Sequence, residues 1–110
     1  MNITVRVIDC LNGKGAEGVA VLLSDQLDEV CGCTDEKGRF NYVNGREVGF
    51  GRDTYRLELD IDAYFSTLGI IPFCRKIIVA FRLLDPAEEF NITTLITANS
   101  YVTYLAKDNG

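Results

Sequence analysis

Short runs of alternating apolar and polar residues constrain the fold of this 110-residue chain more than any other feature of its sequence. In residues 2–9, Ile3, Val5 and Val7 fall on one side of an extended strand, and the residues between them fall on the other. Similar alternating or continuous apolar runs predict seven more strands, at residues 19–24, 30–34, 39–43, 55–59, 75–84, 90–98 and 101–106. So many short strands predict a fold built from sheets.

One stretch has a helical period instead. Between Asp60 and Gly69 the apolar residues recur at i, i+3, i+4 and i+7, as Ile61, Tyr64, Phe65 and Leu68. Asp60 is suited to cap the start of a helix, and Gly69 is suited to end it. We therefore predict one helix of about two turns.

Glycine and polar residues mark the connections between these elements. Residues 11–18 and 44–53 each contain three glycines and are predicted loops, whereas residues 35–38 and 85–86 are predicted turns. Asn99 and Ser100 are predicted to form a two-residue hairpin connection. Eight strands and one short helix at this spacing predict an all-β fold, an eight-stranded β-sandwich, in a single domain over residues 1–110.

The composition argues against several partners. A net charge of −5 opposes attraction to phosphate backbones and anionic membranes, so we expect no nucleic-acid and no membrane partner. The first residues lack a leader pattern, and no window approaches the roughly eighteen apolar residues of a spanning helix. These features predict a cytoplasmic protein.

The chain contains no histidine, which removes the commonest general acid or base and the commonest metal ligand. Its four cysteines are Cys10, Cys31, Cys33 and Cys74. Cys31 and Cys33 lie too close together for the usual zinc-binding spacing. We therefore expect reduced cysteines, buried as small apolar side chains, and we expect no metal and no cofactor.

Seven segments along the chain carry a resemblance to a known family. In chain order they are VRVID (5–9), GVAV (18–21), YRLELD (55–60), AYF (63–65), LGI (68–70), PF (72–73) and SYVTY (100–104). Together they resemble the transthyretin and 5-hydroxyisourate hydrolase family. The resemblance covers about residues 3–106. It implies a transthyretin-like, or prealbumin-like, sandwich with one short helix after the fifth strand.

The family includes transthyretin, which carries iodothyronines, and a hydrolase that opens the oxidised purine ring of 5-hydroxyisourate. The resemblance implies a homotetramer, a dimer of dimers, with pockets for a small molecule at the dimer–dimer interface. It also implies that the hydrolase uses a histidine in the first strand, an arginine after the turn at residues 35–38, a histidine in the seventh strand and a C-terminal Tyr-Arg-Gly-Ser.

This chain retains only part of that set. Arg6 takes the position of the first histidine and Asn91 that of the second, whereas Arg39 matches the family arginine. Residues 104–107 keep only the tyrosine of the tetrapeptide, as Tyr104. Asn91 can donate and accept hydrogen bonds but cannot act as a base near neutral pH. The Tyr104 phenol can serve as an acid or base if a nearby charge such as Arg6 lowers its pKa.

Alternation and the resemblance together predict one shared face for a site. The candidate catalytic residues are Arg6, Arg39, Asn91 and Tyr104, and the candidate ligand-binding residues are Ile8, Thr93, Leu95, Val102 and Ala106. Such a face is cationic and amide-bearing at one end and apolar at the other. It suits a small planar or anionic ligand.

Three functions remain open at this point. The first is a homotetramer that binds a small cyclic or aromatic ligand and has lost hydrolysis of 5-hydroxyisourate. The second is a repurposed enzyme of specialised metabolism, a cyclase, isomerase or ring-opening hydrolase that uses the same pocket. The third is residual 5-hydroxyisourate hydrolysis. Purely structural roles also remain open, with Arg6 and Arg39 as solvated charges and Tyr104 as a packing aromatic.

Overall fold

A computed structural model describes residues 2–25, 28–43, 54–82 and 89–107 of the chain. The described residues form the strands β1 (Asn2–Asp9), β2 (Lys14–Gly15), β3 (Ala20–Ser24), β4 (Glu29–Cys33), β5 (Arg39–Val43), β6 (Thr54–Asp60), β7 (Lys76–Arg82), β8 (Glu89–Ile96) and β9 (Tyr101–Lys107), and the helix α1 (Ile61–Thr67). The predicted loop at residues 44–53 and the predicted turn at residues 85–86 lie outside the described residues.

The strands form two sheets, which we call the β1 sheet and the β3 sheet. In the β1 sheet, β1 pairs in parallel with β8 and antiparallel with β5 and β2, and β8 pairs antiparallel with β9. In the β3 sheet, the order β4-β3-β6-β7 is antiparallel throughout. Inward side chains of both sheets form one apolar core. The predicted all-β sandwich is therefore confirmed.

The alternation predicted for the first strand is present in β1. Ile3, Val5 and Val7 are fully buried in the core, whereas Arg6 is exposed on the opposite face. Burial of each such aliphatic side chain contributes about 1.5–3 kcal/mol to folding. A shift of β1 by one residue would expose all of them, so the core fixes which side chains reach the outer face.

The helix begins and ends where the sequence predicts. The Asp60 carboxylate accepts a hydrogen bond from the Ala63 amide at 3.2 Å, which caps the first turn. Gly69 has a φ of 75°, and the amide of Ile70 donates to the Phe65 carbonyl at 2.9 Å, as in a Schellman closure. Among the residues described, no helix is long and apolar enough to cross a membrane.

Two connections differ from the prediction. The predicted loop at residues 11–18 contains the short strand β2, which pairs with the end of β1. The hairpin between β8 and β9 spans residues 97–100 rather than Asn99 and Ser100 alone. Thr97 causes this difference, because its amide donates to the Ser100 carbonyl at 3.0 Å and its hydroxyl lies 2.7 Å from the Ser100 hydroxyl. These bonds end β8 at Ile96, two residues earlier than predicted.

The expectation that the cysteines are buried is wrong for three of them. All four cysteines are free, but Cys10, Cys31 and Cys33 are exposed, and only Cys74 is half-buried. Cys31 and Cys33 lie on the edge strand β4 and point outward, because the intervening Gly32 faces the ring of Phe40 on the inner side. The inward position therefore belongs to the glycine, not to the thiols.

This arrangement predicts an order of thiol alkylation in the native protein. Cys31 and Cys33 should react with iodoacetamide before Cys74, whose thiol is partly covered and donates a hydrogen bond to the Lys76 carbonyl at 3.1 Å. Peptide mass spectrometry after timed quenching measures the order. In urea all four thiols should react at similar rates, and native labelling of Cys74 as fast as Cys31 would contradict the structure.

Candidate ligand-binding site

The outer face of the β1 sheet carries three rows of side chains that run across its strands. The polar row contains Asn41, Thr4, Asn91 and Ala106, the cationic row contains Arg39, Arg6, Thr93 and Tyr104, and the apolar row contains Ile8, Leu95 and Val102. Members of one row lie directly opposite each other on neighbouring strands, which are about 4.8 Å apart. One surface thus changes from amide to cation to hydrocarbon along the strand direction.

A tight turn places Arg39 at the start of β5. The Asp35 carboxylate accepts hydrogen bonds from the amides of Lys37 and Arg39, both at 2.9 Å. These backbone hydrogen bonds lower the pKa of the Asp35 carboxyl, and the positive charges of Arg39 and Lys37 add to the effect. Gly38 completes the turn with a φ of 78°. The turn therefore sets the register that puts Arg39 opposite Arg6.

The polar and cationic rows, apart from Tyr104, line an open cavity of about 480 Å³. It is lined by Thr4, Arg6, Arg39, Asn41, Asn91, Thr93 and Ala106. Two guanidinium groups and two side-chain amides offer hydrogen-bond donors there. None of these lining residue types ordinarily changes charge between pH 5 and 8. The cavity is equipped to bind oxygen atoms and negative charge rather than to exchange protons.

The structure brings five of the predicted site residues to this cavity, namely Arg6, Arg39, Asn91, Thr93 and Ala106. The other four, Ile8, Leu95, Val102 and Tyr104, lie on the same face outside the cavity lining. Tyr104 is separated from Arg6 by strand β8, so their Cα atoms are roughly 10 Å apart. The roles assigned to these residues stay predictions.

Sequence reasoning missed two residues of the lining, Thr4 and Asn41. Both could have been found from the two-residue period, because Thr4 precedes Arg6 by two positions and Asn41 follows Arg39 by two. They add a hydroxyl and an amide beside the guanidinium groups. The cavity is therefore richer in neutral hydrogen-bonding groups than the predicted set.

The apolar end of the face is uncovered in the single chain. Val102 is 59% exposed and Tyr104 is 51% exposed, although both are large side chains in a regular strand. Ile8 and Leu95, on the neighbouring strands, are half-buried. Exposed apolar side chains beside a polar cavity are typical of a binding or association surface.

The family model described as "HIUase/Transthyretin family" matches residues 3–105 of the chain. The chain belongs to the HIUase/transthyretin family. Family membership confirms the resemblance inferred from the motifs. The matched range includes every predicted site residue except Ala106.

Known members of the HIUase/transthyretin family match nearly the whole chain. A 5-hydroxyisourate hydrolase of Caulobacter vibrioides is 28% identical to it, over 93% of this chain and 95% of that protein. Sea bream transthyretin in complex with thyroxine has a TM-score of 0.83 at 23% identity, covering 98% of this chain and 97% of that one. The Klebsiella pneumoniae 5-hydroxyisourate hydrolase also has a TM-score of 0.83, at 22% identity, covering 96% and 97%.

Proposed function

We propose that this member of the HIUase/transthyretin family is a homotetramer that binds a small cyclic or aromatic ligand at its dimer–dimer interface and has lost 5-hydroxyisourate hydrolysis. The ligand occupies the outer face of the β1 sheet, in the cytoplasm. The observation that supports this most directly is the cavity itself, in which Arg6, Arg39 and Asn91 converge. A sea bream transthyretin, which has the same fold, is known in complex with thyroxine.

Each row of the face binds a different part of the ligand. Arg6 and Arg39 bind anionic oxygens, because a guanidinium group presents a planar set of donors that matches such groups. Asn91 and Asn41 bind neutral polar atoms of the ring. The ring itself lies towards Ile8, Leu95 and Val102 on the apolar row, where burial of its hydrocarbon surface stabilises the complex.

In a single chain the face is open to solvent, and assembly of the tetramer covers it. A pocket that holds a small molecule usually buries most of the ligand surface, and this cavity is open on one side. The exposed Val102 and Tyr104 lie on the same face, outside the cavity lining. A second pair of subunits placed over the face encloses the ligand and buries these side chains, which argues for the dimer of dimers.

The loss of hydrolysis follows from the chemistry of the side chains. The chain contains no histidine, and Arg6 and Asn91 stand where the resemblance places the two histidines of the hydrolase. Neither a guanidinium group nor an amide removes a proton from water near neutral pH. The kinship to the Caulobacter vibrioides hydrolase favours residual hydrolysis as the second candidate, through Arg39 and Tyr104 alone.

An ultraviolet assay with fresh 5-hydroxyisourate separates the two candidates. We expect the decay of the substrate with the purified protein to match the spontaneous rate. Native mass spectrometry of the same sample should show four subunits, with a small molecule retained by the assembly. Faster decay that is abolished in Arg39→Gln would favour the hydrolase, and a monomer in dilute solution would remove the proposed interface.

A further inference from the structure

The two arginines of the cavity face each other directly, and this carries an inference about the ligand. Arg6 and Arg39 are paired positions of the antiparallel strands β1 and β5, and both side chains are exposed on the same face. The Cβ atoms of such a pair are about 5 Å apart. Like charges directly opposite each other on a sheet destabilise it. The repulsion between the two arginines therefore lowers the free energy of unfolding when no anion is bound.

No carboxylate of the described chain neutralises this pair by a direct contact. Arg56 pairs with Glu58 at 3.2 Å and Arg75 lies 3.9 Å from Asp62, and neither pair involves Arg6 or Arg39. The remaining lining residues are uncharged. Two cations thus remain adjacent in a chain that carries 16 acidic and 11 basic residues.

Two acidic side chains near the pair are Asp35, in the turn before β5, and Glu89, on β8. Asp35 is close enough for the charge of Arg39 to lower its pKa, but its Oδ1 atom accepts the backbone amides of Lys37 and Arg39. Glu89 is on the outer face of β8, opposite Asn2 and two residues before Asn91 of the polar row. Neither carboxylate is within 4 Å of a guanidinium group of the pair, so no carboxylate of the described residues occupies the space between the arginines.

We infer that the cavity selects a ligand with two negative charges on adjacent groups of one ring, with Arg6 and Arg39 each binding one of them. This inference rests on the proposed function, because it concerns the ligand of the same face. One carboxylate can accept both donors of one guanidinium fork, and the opposite arginine then still holds an unpaired charge. A second adjacent carboxylate completes the pairing. Asn41 and Asn91 remain available to bind neutral polar atoms of the ring.

A series of ring carboxylates tests the inference with matched size and chemistry. Phthalate carries two adjacent carboxylates, terephthalate carries two at opposite ends of the ring, and benzoate carries one. We expect phthalate to bind about two- to fivefold more tightly than benzoate at low salt, as a second partly exposed ion pair contributes. Terephthalate should gain less than phthalate. Calorimetric titration of the full chain measures all three dissociation constants.

Variants locate the effect on the two arginines. In Arg6→Gln and in Arg39→Gln, the preference for phthalate over benzoate should disappear, whereas the control Arg75→Gln, on the loop before β7, should keep it. Equal binding of phthalate and benzoate to the unaltered protein would overturn this inference and leave the proposed function standing. If none of the three ring carboxylates binds, this inference fails, whereas the proposed function fails only if native mass spectrometry shows neither four subunits nor a retained small molecule.

A measurement without any ring compound checks the repulsion separately. Arg6→Gln should raise the melting temperature of the ligand-free protein at low salt, and added sodium chloride should reduce the difference, because salt screens the exposed charges. Arg75→Gln should not raise it, since Arg75 lies beside Asp62. An unchanged or lower melting temperature in Arg6→Gln would show that the two cations do not repel each other, and the inference would fail.

Discussion

Replacement of Gly38 by alanine is expected to remove about 4 kcal/mol or more of folding stability, a large part of the roughly 5–15 kcal/mol that a domain of this kind possesses. Gly38 has a φ of 78°, which costs an L-residue about 1–2 kcal/mol. A Cβ atom there would also overlap the Val7 carbonyl oxygen and lie 2.8 Å from the Ala16 nitrogen. Both neighbours are backbone atoms, which cannot rotate away.

The crowding around Gly38 comes from hydrogen bonds that join three segments. The Val7 amide donates to the Gly38 carbonyl, and the Ala16 amide donates to the Val7 carbonyl, both at 2.8 Å. Alanine at position 38 must push these segments apart and so break bonds that β1 makes on this edge. The same turn positions Arg39, so the substitution should also weaken ligand binding.

Gly18 provides a matched control for this prediction. Its φ is 81°, similar to that of Gly38, but a Cβ atom there would meet nothing within 4 Å. Gly18→Ala should therefore cost only the conformational penalty of a positive φ, about 1–2 kcal/mol. Urea denaturation followed by circular dichroism gives both values. Equal losses in the two variants would mean that the close approach of the three segments contributes nothing.

Most of the fold was predictable because its signals are local. The alternation in β1 and the cap and stop residues of α1 act within a few positions, and each was confirmed. The hairpin after β8 was predicted two residues too late, because Thr97 and Ser100 hydrogen-bond through their side chains and close the turn earlier. Period alone does not report such side-chain closures.

The candidate site was harder to predict from the sequence, because it is formed by the pairing of strands that lie far apart in the chain. The parallel pairing of β1 with β8 brings Asn91 beside Thr4, and the pairing with β5 brings Arg39 beside Arg6. Alternation indicates the face on which each side chain lies but not its partner strand. The family resemblance supplied those partners for Arg6, Arg39 and Asn91, whereas Thr4 and Asn41, which only the two-residue period indicates, were missed.

Replacement of Asp9 by leucine is expected to cost about 3–5 kcal/mol. Asp9 is fully buried at the end of β1, and its carboxylate accepts four hydrogen bonds. The donors are the Tyr64 hydroxyl at 2.6 Å, the Asn12 side-chain amide at 2.7 Å, and the backbone amides of Leu11 at 2.9 Å and Asn12 at 3.0 Å. Leucine leaves all four donors without this acceptor, and the helix loses the hydrogen bond from Tyr64 that joins it to β1.

The same carboxylate should make stability depend on pH in acid. Burial of Asp9 opposes its ionisation and raises its pKa, but the hydrogen bonds from Tyr64, Asn12 and Leu11 outweigh burial and leave the pKa below its ordinary value of 3.8. The unfolded chain therefore binds a proton at pH values at which folded Asp9 remains ionised. Its contribution to stability is fully present above about pH 4 to 5 and is lost as the pH falls through the folded pKa.

Tyr64→Phe and Asp9→Asn separate the hydrogen bond from the charge. Tyr64→Phe removes one donor to the carboxylate and should cost about 2 kcal/mol at pH 7. The cost should be smaller near pH 3, because loss of the donor raises the pKa of folded Asp9 and lets the variant bind a proton where the wild type stays ionised. Asp9→Asn carries no charge at any pH, so its stability should lack the acid-dependent step of Asp9. Urea denaturation at pH 7 and pH 3 measures both effects. A loss in Tyr64→Phe that is the same at both pH values would show that the ionised carboxylate is not what the tyrosine stabilises.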